Sequence, residues 1–269
     1  MRIGSRDFAT TGHTYIMGIL NVTPDSFSDG GKFNQIDAAL KHAEEMIRDG
    51  ADVIDIGGES TRSGYTKISD EEETDRVVPV IEAVKKEFGI PISVDTYKSG
   101  VAEAAAQAGA DLINDIWGLK YDPHMSEVIA KSGLACCLMH NRDNTEYRNF
   151  MEDVKQDLRE TIALAKAAGI ADDKIILDPG VGFAKSYENN LEVIRRLKEF
   201  NELKYPVLLG TSRKSVIGLT LDLPAAERVE GTIVTTVMAV EAGCMFVRVH
   251  DVKENHRAIQ MAEAILDRK

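Results

Sequence analysis

Eight times along this chain a short apolar run stops on a polar residue, and helical patterns fill most of the gaps between runs. The stops are Asn21, Asp55, Asp95, Asn114, His140, Asp178, Ser212 (two past Gly210) and His250. Apolar strands alternating with helices predict a parallel sheet covered on both faces. Eight such units in 269 residues predict an α/β fold, a single (β/α)8 TIM barrel domain over residues 1–269. Barrel strands end at one face, where active sites sit. The polar stops therefore converge on one mouth although they lie far apart in sequence.

The composition permits this fold and narrows the partners. With 43% hydrophobic and 28% charged residues, the chain can bury roughly three quarters of its unfolded surface at this length. No Ser/Gly/Pro-rich linker or charge block divides it, and the βα units share a pattern without repeating a sequence. One domain is expected, and a solenoid is not. The net charge of −12 argues against nucleic acid and anionic membranes as partners, because both select basic surfaces. It leaves room for an anionic substrate, since a few basic residues can reverse the field in a cleft. No apolar stretch reaches the ~20 residues of a membrane span. Residues 1–20 lack the apolar segment of a signal peptide. Cys136, Cys137 and Cys244 form no C-x-x-C pattern and read as buried thiols in a reducing cytoplasm.

Helices are expected near 36–48, 71–88, 99–108, after the Asp122-Pro123 start signal, and near 151–168, 188–200, 225–241 and 254–266. An extra turn is expected near 214–218. Two connections stand apart. The loops after the first and second strands run from about residue 21 to 35 and from about 57 to 70, whereas βα loops typically hold about 2–6 residues. Long structureless loops usually carry function.

The first of these loops begins Asn21-Val22-Thr23-Pro24-Asp25-Ser26-Phe27, and its side-chain oxygens suit a hard cation such as Mg²⁺ or, equally, a surface turn. The second contains Gly57-Gly58-Glu59-Ser60-Thr61-Arg62-Ser63-Gly64, which suits an anion cradle, although Arg62 reads equally as a solvated loop cation. Asp95, Asp115 and Asp178 each follow an apolar run. A carboxylate there must be paired, metal-bound or read by a ligand's N–H donors. Asp115 is the one assigned a structural role. Arg213 and Lys214 follow the seventh run, and Arg248 and His250 belong to the eighth. Spaced by two, the last pair shares one face of a strand, where two cationic donors call for an anion or for a carboxylate partner. His140 can donate to a ligand or brace a loop, and His13, His42, His124 and His256 read as surface residues. There is no His-x-His after the first strand and no His-Glu-x-x-His, so a catalytic zinc site is not expected. A Gly-x-Gly-x-x-Gly fingerprint in strand-to-helix context is also missing. These residues point to a barrel enzyme assisted by Mg²⁺. A polyanionic group would sit near strands one, two and eight, and an N–H-rich ring near strands three, four and six.

The stretches MGILNVTPDSFSDGG, GADVIDIGGESTRSG, SVDT, LINDIWG, CLMH, DPGVGF, GTSRKS and RVHDV, in that order between Met17 and Val252, resemble the dihydropteroate synthase family. That resemblance implies condensation of 6-hydroxymethyl-7,8-dihydropterin diphosphate with p-aminobenzoate, giving 7,8-dihydropteroate and diphosphate for folate synthesis. It also implies Mg²⁺ as cofactor, a homodimer, and binding of sulfonamides as p-aminobenzoate mimics. Carried onto this chain, Asn21 resembles the Mg²⁺ ligand, and Thr61, Arg62, Arg248 and His250 resemble the other diphosphate contacts. Asp95, Asn114 and Asp178 resemble the pterin's hydrogen-bonding set, with Lys214 reaching a ring acceptor. Met139 and Phe183 would wall the ring, and Arg248 would stack on its face. Ser212 resembles a p-aminobenzoate contact, flanked by Phe27 and Lys214. Asp95, Lys214, Arg248 and Asn21 are the implied catalytic residues. The chain departs from the family pattern at Ser63, where Pro is common, at Asn141, where Met is common, and at Ala184, where Gly is common.

Three other readings remain distinct. A methyltetrahydrofolate-to-corrinoid methyltransferase would share the pterin carboxylates but needs no diphosphate site, so Arg62, Arg248, His250 and the Asn21 loop count against it. A non-catalytic pterin- or anion-binding barrel would bind without turnover. A Schiff-base aldolase would use Lys214, which falls beyond the strand end.

Overall fold

The computed structural model describes residues 1–23, 32–60 and 67–268, with the backbone alone for 32–34. A small antiparallel hairpin, β1 (Arg2–Ile3) and β2 (Arg6–Asp7), precedes the barrel. The barrel strands are β3 (Tyr15–Asn21), β4 (Val53–Gly57), β5 (Ile92–Asp95), β6 (Leu112–Asp115), β7 (Ala135–Met139), β8 (Ile175–Asp178), β9 (Leu208–Leu209) and β10 (Phe246–Val249). They pair in the order β8-β7-β6-β5-β4-β3-β10-β9. A parallel bridge from Leu177 to Val207 joins β8 to the approach of β9 and closes the ring. The fold is the expected parallel barrel with helices between strands.

Register explains why the polar stops meet. Asn21 pairs with Gly57, Gly57 with Asp95, Asp95 with Asn114, and Met139 with Asp178. Side chains alternate between faces along a strand, so residues two apart share the barrel interior. Val53 below Asp55, Leu112 below Asn114, Ile176 below Asp178 and Phe246 below Arg248 each put an apolar residue beneath a polar one. Below them Ile3 and Phe8 pack with Met17, Val53, Leu112, Ile176 and Phe246 in one buried cluster. The N-terminal hairpin thus helps fill the barrel floor. Its two-residue strands are too short for a periodicity signal, and the sequence reading assigned them no element.

The helices are α1 (Lys32–Asp49), α2 (Asp70–Phe88), α3 (Ser99–Ala108), α4 (Met125–Ser132), α5 (Phe150–Ala167), α6 (Tyr187–Arg195), α7 (Ser215–Leu221), α8 (Val229–Ala242) and α9 (Val252–Ile265). Local chemistry sets their ends. Ser69 caps α2 by accepting from the Glu72 N–H, four acidic residues fill its first turn, and Gly89 ends it at φ 61°. The expected helix over 188–200 is a correction. Here α6 stops at Arg195 and a 3-10 helix spans Leu197–Leu203. Its buried residues Leu197, Phe200 and Leu203 are spaced by three, which matches a helix of three residues per turn. The extra turn near 214–218 extends as α7 to Leu221, and α8 begins at Val229 after a short 3-10 turn at Ala225–Glu227.

The floor packing carries a prediction. Phe8 is 3% exposed, with its ring edge-on to Tyr15 at 4.9 Å and tilted against Phe246 at 5.5 Å. Phe8→Ala should lower unfolding free energy by about 3–5 kcal/mol, read as a lower urea midpoint at unchanged slope. Both substrate KM values should stay as in the parent.

Candidate active site

The centre of the mouth is an arginine held between two carboxylates. Arg248 donates from Nε to Asp55 Oδ2 at 2.6 Å and from Nη2 to Asp95 Oδ2 at 2.6 Å. Asn114 Nδ2 also donates to Asp55 Oδ2, at 3.3 Å. One guanidinium facing two carboxylates leaves a negative charge in excess. The second oxygen of each carboxylate, Oδ1, is buried without a hydrogen-bond partner among the described residues. Burial pushes the Asp95 carboxyl up to about 7 against the pull of Arg248, with Asp55 adding repulsion. Burial works against the Arg248 cation, but Asp55 and Asp95 hold its pKa above the ordinary arginine value. At Gly57 an added Cβ would lie 3.6 Å from Asn21 Oδ1 and 3.8 Å from Asp95 Oδ2, so the Asn21 amide stands beside this cluster at the rim.

Asp178 forms a second centre across the mouth. Its Oδ1 accepts the Gly180 N–H at 2.7 Å. Burial raises its pKa, with Lys214 the foremost opposing charge. Desolvation brings Lys214 down to about 8, with Asp178 pulling the other way. The Lys214 ammonium donates to the Val181 carbonyl at 2.5 Å and stands 4.8 Å from the Phe183 ring centroid. A Cβ on Gly210 would lie 3.5 Å from Asp178 Oδ2 and 3.8 Å from Lys214 Nζ, so glycine keeps the space before both groups open. An apolar wall of Tyr97, Ile116 and Met139, with Trp117 and Phe183 packed on it, forms a cluster separate from the main core. The arrangement offers a flat aromatic guest an acceptor, a cation and a greasy surface.

The other expected residues fall in three groups. Ser212 Oγ lies 3.0 Å from His250 Nδ1 and accepts the His250 backbone N–H at 3.1 Å, so these two form a rim pair. Arg213, next to Ser212, sits in the left-handed region at φ 58°. Its side chain is paired with Asp251 and its carbonyl accepts from Arg228 at 2.9 Å. Asp115 spends both oxygens on its own turn, accepting from the N–H groups of Trp117 at 2.8 Å and Leu119 at 2.7 Å. Phe27, Thr61 and Arg62 lie outside the described residues.

Sequence reasoning left the roles of several groups unassigned. Asp55, expected at the mouth as a polar stop, is wholly buried in mid-strand as a partner of Arg248. Its signal was visible as a carboxylate between Ile54 and Ile56 on the same strand face as Gly57. Ile116 and Trp117 lie within the LINDIWG stretch but were assigned no role, and Tyr97 directly follows SVDT. At the neck of the second long loop, Lys98 reaches Glu59 at 2.8 Å, Glu73 at 2.7 Å and the Ile68 carbonyl at 2.8 Å, while Ile68 N–H donates to Glu59 at 2.9 Å. Glu59 and Ile68 flank that loop, so one buried ammonium fastens both of its ends.

The electrostatics of Asp95 generate a pH prediction. Its folded pKa of about 7 exceeds the ~3.9 of an unfolded aspartate. The stability that protonated Asp95 contributes is therefore present at low pH and lost as pH rises through about 7. Asp95→Asn, which mimics the neutral form, should gain stability relative to the parent as pH climbs from about 4 to about 8. Parallel urea-midpoint curves for the two proteins across that range would refute the assignment.

The profile of the family described as "Pterin binding enzyme" matches residues 17–250. The dihydropteroate synthase of Clostridium beijerinckii is 62% identical over 269 residues, covering all of both chains. That of Bacillus subtilis is 55% identical over 255 residues, covering 95% of this chain and 90% of its own. Among solved structures, the dihydropteroate synthase of Clostridium difficile in the presence of pteroic acid has a TM-score of 0.93 and 52% identity, with both chains fully covered. The Yersinia pestis enzyme in a sulfonamide drug complex has a TM-score of 0.93 and 43% identity over 99% of each chain. A barrel whose strand ends gather buried carboxylates, a desolvated lysine and an aromatic wall, matched over its whole length at this identity, belongs to the dihydropteroate synthase family of pterin-binding enzymes.

Proposed function

We propose that the mouth works by binding the pterin edge-on to Asp178 and by stabilising the departure of diphosphate, with no protein nucleophile. The reaction is that of the family: 6-hydroxymethyl-7,8-dihydropterin diphosphate and p-aminobenzoate join as 7,8-dihydropteroate, and diphosphate leaves. The observation that carries the residue assignment is the Asp178 carboxylate, buried and facing the space that Gly210 keeps open. Two adjacent pterin N–H groups match its two oxygens as a bidentate acceptor, and Oδ1 retains a lone pair beyond its bond to Gly180. Asn114 and Lys214 complete the polar edge, and Met139 and Phe183 wall the ring.

In the chemical step the bond from the pterin methylene carbon to the diphosphate oxygen breaks, and its electron pair leaves with the diphosphate. The p-aminobenzoate nitrogen then attacks the methylene carbon and releases a proton. Asp95 faces the developing positive charge, and its coupling to Arg248 allows its ionisation to follow the charge of the guest. Arg248 and His250, with Thr61 and Arg62 from the second loop, supply the diphosphate's cationic and hydroxyl contacts. Ser212 and Phe27 are assigned to p-aminobenzoate.

Mg²⁺ fits the residues present. Asn21 offers a hard amide oxygen at the rim, and among the described residues no three His, Cys, Asp or Glu side chains gather as a metal cage. A cation held by one protein oxygen, waters and substrate phosphates is the usual arrangement for Mg²⁺. When bound it neutralises charge on the departing diphosphate.

The protein is also proposed to be a cytoplasmic homodimer. Its three cysteines are free and buried, and among the described residues no helix is long and apolar enough to cross a membrane. Leu219, Leu221 and Val234 on α7 and α8 are exposed large apolar residues, beside a groove lined by Ile217 and Met238. This face suits a second copy of the chain. Val234→Glu should shift the sedimenting species from dimer toward monomer, and an unchanged sedimentation coefficient would exclude this face.

Diphosphate release by the protein with Mg²⁺ and pterin diphosphate should require p-aminobenzoate and yield dihydropteroate. Asp178→Ala should abolish pterin binding, measured by equilibrium titration. Asn21→Ala should raise the Mg²⁺ concentration needed for half-maximal rate by about tenfold. Unchanged titration or Mg²⁺ dependence would remove the respective role.

A further inference from the structure

Behind the Asp178 turn lies a chain of polar groups, half-buried around a fully buried His140, that the reaction does not use. Lys185 turns its ammonium inward and donates to three acceptors: the Gly180 carbonyl at 3.0 Å, the Phe183 carbonyl at 3.1 Å and His140 Nδ1 at 2.8 Å. On its other side, His140 Nε2 lies 2.9 Å from Asp157 Oδ2. An ionised carboxylate can only accept, so Nε2 carries the imidazole proton and Nδ1 presents its lone pair to Lys185. Burial lowers His140 to about 4, with Asp157 opposing, so the ring is neutral at pH 7. Asp157 stays ionised: burial works against it, but His140 and Arg142 hold its pKa well below the ordinary carboxylate range. Arg142 Nε donates to the same Asp157 oxygen at 2.5 Å.

These contacts hold one turn from both sides. The Gly180 N–H is on Asp178, and its carbonyl accepts from Phe183 N–H at 3.1 Å and from Lys185. A Cβ on Gly180, at φ 71°, would lie 2.0 Å from the His140 carbonyl oxygen and 3.3 Å from Lys185 Nζ. The turn is therefore packed directly on the His140–Lys185 pair. We propose that Lys185 is a positioning residue for the pterin, clamping the turn from Asp178 to Phe183 through a relay of hydrogen bonds by way of His140 to Asp157. The inference rests on the assignment of Asp178 and Phe183 to the pterin.

The clamp needs the charged amine, since an ammonium has three protons for three acceptors and a neutral amine has two. Desolvation lowers Lys185 to about 7. The charges that bear on it are Asp178 from β8, Lys214 after β9, Asp157 from α5 and Arg142 after β7. The Tyr147 phenol is nearby too, donating to the Ala184 carbonyl at 2.8 Å. As pH rises past about 7, the clamp loses a donor and Asp178 loses a supporting charge, so pterin affinity falls. Stability responds in the opposite sense. A lysine whose folded pKa lies below the ~10.4 of the unfolded chain makes the folded state bind fewer protons, so its contribution to stability rises with pH between about 7 and 10. A purely structural lysine would therefore not weaken pterin binding in that window.

The test compares Lys185→Met, Asp157→Asn and Asp178→Asn with the parent in the full-length enzyme. The readouts are KM for the pterin diphosphate, KM for p-aminobenzoate, and equilibrium pterin affinity between about pH 6 and pH 8.5. Lys185→Met should raise the pterin KM about tenfold or more while the p-aminobenzoate KM stays within about twofold. It should also shrink the loss of pterin affinity between the two ends of the pH range. Asp157→Asn, which does not border the ring, should raise the pterin KM about threefold by freeing the His140 tautomer. A parental pterin KM in Lys185→Met, or an equal rise in both KM values, overturns the relay. If Lys185→Met fails to fold, a parental pterin KM in Asp157→Asn overturns it instead. Asp178→Asn separates the two layers. Lost pterin affinity there beside parental Lys185→Met sinks the relay alone, and parental affinity in Asp178→Asn sinks the pterin assignment with it.

Discussion

The Arg248 guanidinium, set between Asp55 and Asp95, ties together β10, β4 and β5 at the level where the barrel changes from packed core to open mouth. Below it the interior is apolar, with Val53, Leu112, Ile176 and Phe246 in one cluster. An isolated charge at this depth would be expelled or neutralised, because desolvation costs several kcal/mol per ion. Three charges that share hydrogen bonds can remain, but they are unbalanced. The buried second oxygens of Asp55 and Asp95 lack hydrogen-bond partners among the described residues, so the mouth is set for a guest that brings donors or positive charge. Asp95 therefore holds its proton far more readily than a surface aspartate, and its charge is free to change when the guest's charge changes.

This division between floor and mouth also governs what a reader of the sequence can see. The strands were legible because burial on both faces makes them uniformly apolar, and their ends because a polar residue interrupts each run. Asp95, Asp178 and Asn114 were legible for that reason, and register then places Asp95 beside Asn114. Asp55 was less legible in its role. A carboxylate inside a run looks like one more strand end, and only the partner on β10, one strand beyond β3 and 193 residues away in sequence, reveals it as a counter-ion. The hairpin strands Arg2–Ile3 and Arg6–Asp7 were too brief for any period to register. The break after Arg195 was hidden because residues spaced by three fit a 3-10 helix and one face of an α-helix alike. Lys185 carries no signal of its own in the sequence, a single lysine two residues beyond the DPGVGF stretch.

The departure from the family pattern at residue 184 has a physical consequence. Ala184 occupies the left-handed region at φ 47°, where a Cβ costs about 1–2 kcal/mol relative to glycine. Neighbouring contacts hold the conformation: the Tyr147 phenol donates to the Ala184 carbonyl, and Lys185 donates to the carbonyl of Phe183 just before it. Strain of this kind persists where the surroundings over-determine the backbone. Arg213 repeats the pattern at φ 58° between Ser212 and Lys214, held by Asp251 and Arg228. Both strained residues adjoin side chains that face the mouth, Phe183 on one side and Lys214 on the other, and Lys214 stands over the Phe183 ring.

Rigidity here serves a chemical end. A reaction that proceeds by losing diphosphate needs its electrostatic groups in place before charge develops, because dipoles that must reorient during the step stabilise it less. The floor gives that order to the strand ends, since the polar layer stands directly on a close-packed one. The loops have no such support and use other devices: the Lys98 staple at the neck of the second loop, the Lys185 clamp on the Asp178 turn, and the Arg228 contact with the Arg213 and Lys214 carbonyls. Each places a basic side chain against at least one backbone carbonyl, and at the Lys98 staple two carboxylates, Glu59 and Glu73, balance the ammonium. In the Lys185 and Arg228 contacts a cation anchored to neutral carbonyls fixes the backbone without placing a carboxylate on it. In an acidic protein whose substrate is a polyanion, the two carbonyl-anchored cations keep positive charge around the site.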